Sequence, residues 1–283
     1  MLAENANKLV SDGVTENIPP IVQFMTNTNY IFTSRTLLEK HNSPFVRFQD
    51  EIMLPQLQRR TGHPELLAIK PLGPSLYQRT SSCKLHHLKE GDSTGWHQDT
   101  QTRSKGKLLF TCVYNVQITV DGEDTLDPEV RDRARADGRL PVMHLFNSKE
   151  KVLQTFELYT GLMLFHNGLA DYHSVPNLKK GVERTCCVMF TSEDLSTYNV
   201  IDKVPFVYRE AIGLYRNKRL IEQTTGQKLK STGVEYMHVL VIVLILIICA
   251  AIVGTIVASG ILISRASGLS TRSGAGKPIH KDV

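Results

Sequence analysis

Several features that would mark a familiar class of protein are missing from this chain. Its 283 residues include one tryptophan and five cysteines. Cys83, Cys112, Cys186, Cys187 and Cys249 show neither the paired spacing of a zinc site nor a secreted disulfide framework. Cys186 and Cys187 are neighbours in a strand-like run, which sends their side chains to opposite faces. Plain thiols of this kind fit a reducing compartment. No Asn-x-Ser/Thr acceptor occurs. The opening residues, Met1 to Asn5, have no positive region and no apolar run, so a signal peptide is not expected. Charge of one sign is also lacking: 33 basic residues stand against 28 acidic ones, a net of +5, and the excess is scattered. Without a dense basic stripe and interleaved aromatics, nucleic acid is not an expected partner. Neither an internal repeat nor a low-complexity block is present.

One long uncharged run is there. Val239 to Ile263 contains no charged residue. It is long enough to cross a bilayer core of ~30 Å with some tilt. A core helix of that length with no polar face would be unusual. Lysine and arginine lie on both sides of the run (Lys218, Arg219, Lys228 and Lys230 before it, Arg265, Arg272, Lys277 and Lys281 after it), so the positive-inside rule does not set an orientation. The missing signal peptide and the free thiols favour a cytosolic body on a single-pass, C-terminal anchor, a tail-anchored arrangement. Ala250, Gly254 and Ala258 recur at four-residue spacing. An ordinary lipid-facing helix is the preferred reading of them, and a helix-mediated dimer is the alternative. Removing the run and its tail leaves about 236 residues, enough to bury a core in one β-rich domain with a helical annex.

Residues 1–20 are polar and expected to be loose. Thr33 to Lys40 and Val46 to Arg60 read as helices, the second bent by Pro55. Ser81 to Leu88 alternates like a strand. Leu108 to Val120 is the clearest strand, with Leu108, Phe110, Cys112, Tyr114, Val116 and Ile118 on one face and Thr111, Asn115, Gln117 and Thr119 on the other. Asp121-Gly122 signals a turn after it. Asp127 to Gly138 is dense in both charges and reads as a solvated helix or loop. Strands resume at 152–158, 162–166 and 184–191, followed by an amphipathic helix at 207–222 and a linker at 228–234. Many short strands with turns between them point to a barrel or sandwich. The expected division is an N-terminal flanking segment (1–80), a core (81–192), a helix and linker (193–236), a transmembrane helix (237–264) and a short tail (265–283).

The chemistry is concentrated in His97-Gln98-Asp99, followed by His173 and, eleven residues later, Arg184. Side chains at i and i+2 share a face of a strand or its end, so His97 and Asp99 suit one ion. Two imidazoles and a carboxylate are the ligand set of a facial iron triad, which leaves other coordination positions open. A guanidinium fork suits a carboxylate bound near those positions better than an ammonium does. Trp96, just before the first ligand, is a candidate wall. His86, His87, His144 and His166 have no spacing that elevates them and read as packed or surface residues.

The longer string is more specific than a bare His-x-Asp. It runs from Leu88-Lys89-Glu90-Gly91 through Gly95-Trp96-His97-Gln98-Asp99 to Thr111-Cys112-Val113-Tyr114-Asn115. It continues with Asp121-Gly122-Glu123-Asp124-Thr125, Gly161-Leu162-Met163-Leu164-Phe165, His173-Ser174-Val175-Pro176 and Lys180-Gly181-Val182-Glu183-Arg184. In the order and spacing of these pieces, Ser81 to Ser192 resembles the iron(II)- and 2-oxoglutarate-dependent oxygenases, especially their prolyl-hydroxylase-like branch. The resemblance implies a mainly β fold, a double-stranded β-helix or jelly roll with flanking α-helices. It implies that His97, Asp99 and His173 hold Fe(II), and that 2-oxoglutarate chelates the iron with its far carboxylate on Arg184. O2 would be the oxidant and ascorbate a possible addition. Arg184 and Cys186 share a face of their strand and would look into the pocket. Members of that branch often have Tyr where Leu88 stands and an aromatic near Asn115. Their contacts with 2-oxoglutarate would pass to other residues here, with Thr111 and His87 as candidates.

The implied activity is hydroxylation of a C–H bond, with a peptidyl proline or another protein side chain as the first expectation. A membrane anchor raises lipids and membrane-bound proteins, and small metabolites stay open. Two rivals use the same residues. One is a zinc or manganese hydrolase, in which Arg184 has no obvious task. The other is a catalytically inactive, membrane-tethered jelly-roll binding protein.

Overall fold

The two longest strands, Leu109–Val120 and Val182–Ser192, run antiparallel side by side over nearly their whole length. They are the axis of a computed structural model that describes residues 1–18, 20, 23, 28–69, 83–99, 109–147, 150–168, 170–193, 221–223, 246–247, 250–255 and 259. In chain order the elements begin with α1 (Leu2–Ser11), β1 (Glu16–Asn17), β2 (Ile31–Ser34), α2 (Arg35–Lys40), α3 (Pro44–Arg47), a π-helical stretch (Phe48–Met53) and α4 (Leu54–Thr61). Then come β3 (Leu67–Ala68), β4 (Lys84–Leu88), β5 (Thr94–His97), β6 (Leu109–Val120), β7 (Glu123–Asp124) and α5 (Pro128–Ala136). The last are β8 (Val142–Asn147), β9 (Val152–Glu157), β10 (Met163–Asn167), β11 (Asp171–Val175) and β12 (Val182–Ser192).

The strands make two antiparallel sheets. The larger has the order β1-β2-β4-β12-β6-β10, with β3 paired to β12 and β7 to β6. The smaller has the order β5-β11-β8-β9. From β4 onward the chain steps back and forth between them: β4, β6, β10 and β12 lie in the large sheet, and β5, β8, β9 and β11 in the small one. That alternation is the winding of a jelly roll. It buries apolar residues between the sheets, among them Phe32, Leu88, Ile118, Val120, Met143, Leu158, Val175 and Val182. The other face of the large sheet is covered by helices, with Leu38, Phe45, Met53 and Leu57 packed on Leu85, Cys112, Val116, Cys187 and Met189.

Local chemistry explains most of the boundaries. Ser34 and Ser43 accept backbone N–H bonds at the starts of α2 and α3, and Pro44 follows the second cap. Asp121 and Gly122 have φ of 52° and 83°, the left-handed pair that a two-residue hairpin turn requires. The charged 127–138 segment is α5, capped by Asp127, with Val130 and Ala134 buried beneath its charges.

The structure departs from the sequence reading at several points. Residues 2–11 are helical rather than loose, because Ala6 and Leu9 fall on one stripe and bury in the core. Thr33 belongs to a strand, and the helix expected to contain it starts at Arg35. The 46–60 helix does not simply bend at Pro55. It widens to π-turns over Phe48–Met53, just ahead of the proline that lacks an N–H for the ladder. On β6 the pairing with β12 shifts between Thr185 and Cys186, where Asn115 and Gln117 are the partners. Val116 is the extra residue of a bulge. Val116 therefore faces the helices while Ile118 faces the space between the sheets, although simple alternation puts them together. β8, with no clear alternation, was not anticipated.

The expected 207–222 helix lies outside the described residues except for 221–222, where Ile221 is buried beside Trp96, Phe146 and Tyr172. The 228–234 linker lies outside them too. Residues 235–283 form a separate unit, helical at 246–247 and 250–255. No helix among the described residues is long and apolar enough to cross a membrane. Most of 239–263 lies outside them, as does Ala258.

Candidate metal centre

β5 and β11 are neighbours in the small sheet, and their register pairs His97 directly with His173. This brings together residues 76 positions apart (173 − 97). Asp99, two residues past His97, turns back toward both rings. One ligand atom from each of the three lies within 4.8 Å of the others. The Nε2 atoms of His97 and His173 are 3.7 and 3.9 Å from Asp99 Oδ1. Those distances are too long for hydrogen bonds. They suit donors that each sit about 2 Å from a shared ion.

The protonation states agree with a ligand role. His97 Nδ1 lies 2.7 Å from the Gly95 carbonyl, which can only accept, so Nδ1 is the donor and Nε2 is the nitrogen turned toward Asp99. Burial, reinforced by His97, pushes the His173 imidazole well below its ordinary value and keeps it neutral. Its Nδ1 is buried without a hydrogen-bond partner. Gly168 packs so tightly here that a Cβ would lie 3.1 Å from that of Asp99 and 2.9 Å from Leu109 Cδ2.

Arg184 lines the same cavity as the three residues. It is buried on β12, and its Nε donates to Asn115 Oδ1 at 2.9 Å. Cys186 also lines the cavity, two positions along the strand. The remaining sequence candidates divide. Thr111 lines the cavity but donates its hydroxyl to Asp99 Oδ2 at 2.5 Å, which sets it against the carboxylate ligand. His87 does not line this cavity. Its Nε2 lies 3.0 Å from Thr33 Oγ1, and it borders a different cleft beside α1. Alternation on β4 turns His87 away and presents Lys84 and His86 instead. His144 pairs with Thr155 and stacks on Trp96.

Four further residues stand at the site: Tyr30 and Lys84, which sequence reasoning did not raise, and His86 and His166, which it read as packed or surface residues. Tyr30, Lys84 and His86 line the cavity. Tyr30 stacks on His86 with ring centroids 4.2 Å apart, and burial pushes its phenol up. The Lys84 ammonium lies 5.1 Å from the Phe190 ring centre, and burial brings it down to about 8. Burial, then Lys84 and Arg184, hold the His86 imidazole well below its ordinary value. The fourth is His166, whose Nε2 is 3.6 Å from Asp99 Oδ2 and whose ring lies 4.4 Å from that of His173. Burial, with His173 nearby, takes it down to about 3. The period-two pattern of β4 was available as a signal for Lys84 and His86. Nothing local marked His166 or Tyr30.

No protein-family model matches the sequence, and no curated protein matches it. Among solved structures, the chain is similar to the non-heme alpha-ketoglutarate-dependent epimerase SnoN from nogalamycin biosynthesis, at 13% identity over 67% of this chain and 70% of that one, with a TM-score of 0.45. A Pseudomonas putida prolyl-4-hydroxylase matches at 12% identity over 68% and 83% of the two chains, with a TM-score of 0.39. A Trichoplax adhaerens prolyl hydroxylase in complex with a hypoxia inducible factor peptide matches at 10% identity over 68% and 77%, with a TM-score of 0.43.

Proposed function

We propose that this protein is an iron(II)- and 2-oxoglutarate-dependent oxygenase that hydroxylates a C–H bond and is held at a membrane by residues 239–263. The carrying observation is that His97, Asp99 and His173 converge at a cavity which Arg184 also lines. The donor set fits Fe(II): two imidazoles and one carboxylate, with other positions open. Iron bound there supplies the oxidation of a C–H bond with 2-oxoglutarate and O2 as co-substrates.

The chain's own residues bind and orient. Arg184 receives the far carboxylate of the keto acid, and Asn115 fixes the guanidinium by accepting from Nε. Val113, Met143, Val175 and Val188 line the cavity and keep water from its walls. Arg184 favours this reading over a hydrolase, which has no use for a cation placed to hold a second carboxylate. A protein side chain, a peptidyl proline first, is the proposed substrate.

The test is iron-dependent release of succinate from 2-oxoglutarate by the full chain with ascorbate present, followed by a search for +16 Da products on candidate peptides (one oxygen added). His173→Ala should abolish turnover while the folded circular-dichroism spectrum persists. Arg184→Ala should mainly weaken 2-oxoglutarate binding. Turnover by His173→Ala at the wild-type rate rejects the proposal.

Two observations support the anchor and a cytosolic body. Leu246, Ile247, Ile252 and Val253 are exposed apolar residues on helical backbone within the uncharged run. Cys83, Cys112, Cys186 and Cys187 are buried free thiols. Resistance to alkaline carbonate extraction from membranes, lost on deleting 235–283, is the expected result. Extraction of the full chain into the supernatant rejects anchoring.

A further inference from the structure

We propose that Thr111 and His166 are positioning residues that hold one oxygen of Asp99 away from the metal, so that the carboxylate offers Oδ1 alone. The inference rests on the metal reading above and concerns how that site keeps its vacancies.

The two oxygens of Asp99 have different surroundings. Oδ1 faces Nε2 of His97 and Nε2 of His173. Oδ2 accepts the Thr111 hydroxyl at 2.5 Å and lies 3.6 Å from His166 Nε2. His166 is not part of the close-set ligand group, which among the described residues comprises His97, Asp99 and His173. Its ring is buried, and neither ring nitrogen has a hydrogen-bond partner. A neutral imidazole carries one N–H, and a buried donor left without an acceptor is costly. A small ring rotation brings that N–H onto Oδ2. Thr111 thus holds Oδ2 from β6, and the His166 ring, once turned, would hold the same oxygen from β10; the two strands pair in register at these very residues.

The consequence is coordination number. A carboxylate can bind an ion through one oxygen or both. A keto-acid chelate plus O2 needs every position that three protein donors leave open. If Oδ2 swung onto the ion, it would fill one of them. The Thr111 hydroxyl on Oδ2, joined by the His166 N–H once its ring has turned, holds that oxygen back.

The experiment uses the full chain with Mn(II) as the probe. Exchangeable waters on the ion are counted by deuterium spin-echo spectroscopy in D2O, with calorimetry to show that the ion is bound. Thr111→Val should show one fewer water than wild type, and Thr111→Ser should restore the wild-type count. His166→Phe should shift the count in the same direction, while His166→Gln, which keeps a donor, should not. If Thr111→Val does not fold, the His166 pair decides. An unchanged count in Thr111→Val and His166→Phe with Mn(II) bound overturns this inference and leaves the metal reading standing. Failure of the wild-type chain to bind Mn(II) overturns both.

Discussion

Arg184 and Asn115 meet across a bulge: Nε of the arginine donates to Oδ1 of the asparagine at 2.9 Å, beside the point where β6 gains Val116 as an extra residue. The bond ties the cavity's guanidinium to a side chain that the bulge leaves on the same face. A charge-assisted bond of this kind contributes about 1.5–3 kcal/mol.

Asn115→Leu removes the acceptor without removing the cation. The expected outcome is a roughly tenfold or greater rise in the Kd for 2-oxoglutarate, the equivalent of at least about 1.4 kcal/mol. Affinity for the metal should stay at the wild-type value. Calorimetric titration of the metal-loaded protein with 2-oxoglutarate checks both. An unchanged keto-acid affinity would show that Asn115 does not position Arg184.

Gly168→Ala sets a methyl group against Leu109 and Asp99. Leu109 ends in a flexible side chain and can yield, whereas Asp99 would shift from its place beside the two imidazoles. Metal binding should weaken by roughly tenfold, in the range usual for disturbing the support of a ligand. Thermal stability should fall only modestly, because the site lies at the end of β10. Titration with Fe(II) under anaerobic conditions gives the answer.

His87 offers a pH prediction away from the metal. Burial takes its imidazole from the ordinary 6.5 down to about 4. The folded value lies below the unfolded one, so the unfolded chain takes up the proton first. The stability tied to this ring is present above about pH 6.5 and is lost as pH falls toward 4, by up to ~1.4 kcal/mol per pH unit. His87→Gln should flatten that part of the profile. Urea unfolding between pH 4 and pH 7 measures it, and identical slopes in the two proteins would refute the assignment.

Arg35 is buried and held by Glu39, Gln49 and Asp50. Gln49 in turn donates to Cys187 on β12, so this cluster braces the helices on the large sheet. Asp50→Ala leaves the guanidinium buried with its bidentate partner gone. A loss of about 2–4 kcal/mol is expected. Chemical denaturation would show it as a lower midpoint with an unchanged slope, and a change under 0.5 kcal/mol, the ordinary range for surface substitutions, would contradict it.

Much of the fold was legible in the chain. The period-two run of β6, the Asp121-Gly122 turn and the charged α5 segment each announce themselves locally, because alternation, positive φ and solvation act over a few residues. Illegible were α1, whose buried stripe is small and set among polar residues, and the bulge at Val116, which exists only because β12 pairs alongside. On β4 alternation groups Lys84 with His86, but the strand is buried on both faces, so the pattern did not say which face looks into the cavity.

At the site the division is sharper. Residue types and the i, i+2 spacing put His97 next to Asp99, and the resemblance of the longer motif string named His173 and Arg184 as their partners. They could not say that β11 pairs with β5 so that His173 lies opposite His97, that Thr111 faces Asp99, or that His166 stands unpartnered behind it. Strand pairing joins residues dozens of positions apart through backbone bonds that carry no residue-specific signal. The amino-acid sequence alone determined which donors exist and their local geometry. Only the jelly-roll winding decided which of them share one small volume, because that depends on register between strands distant in the chain.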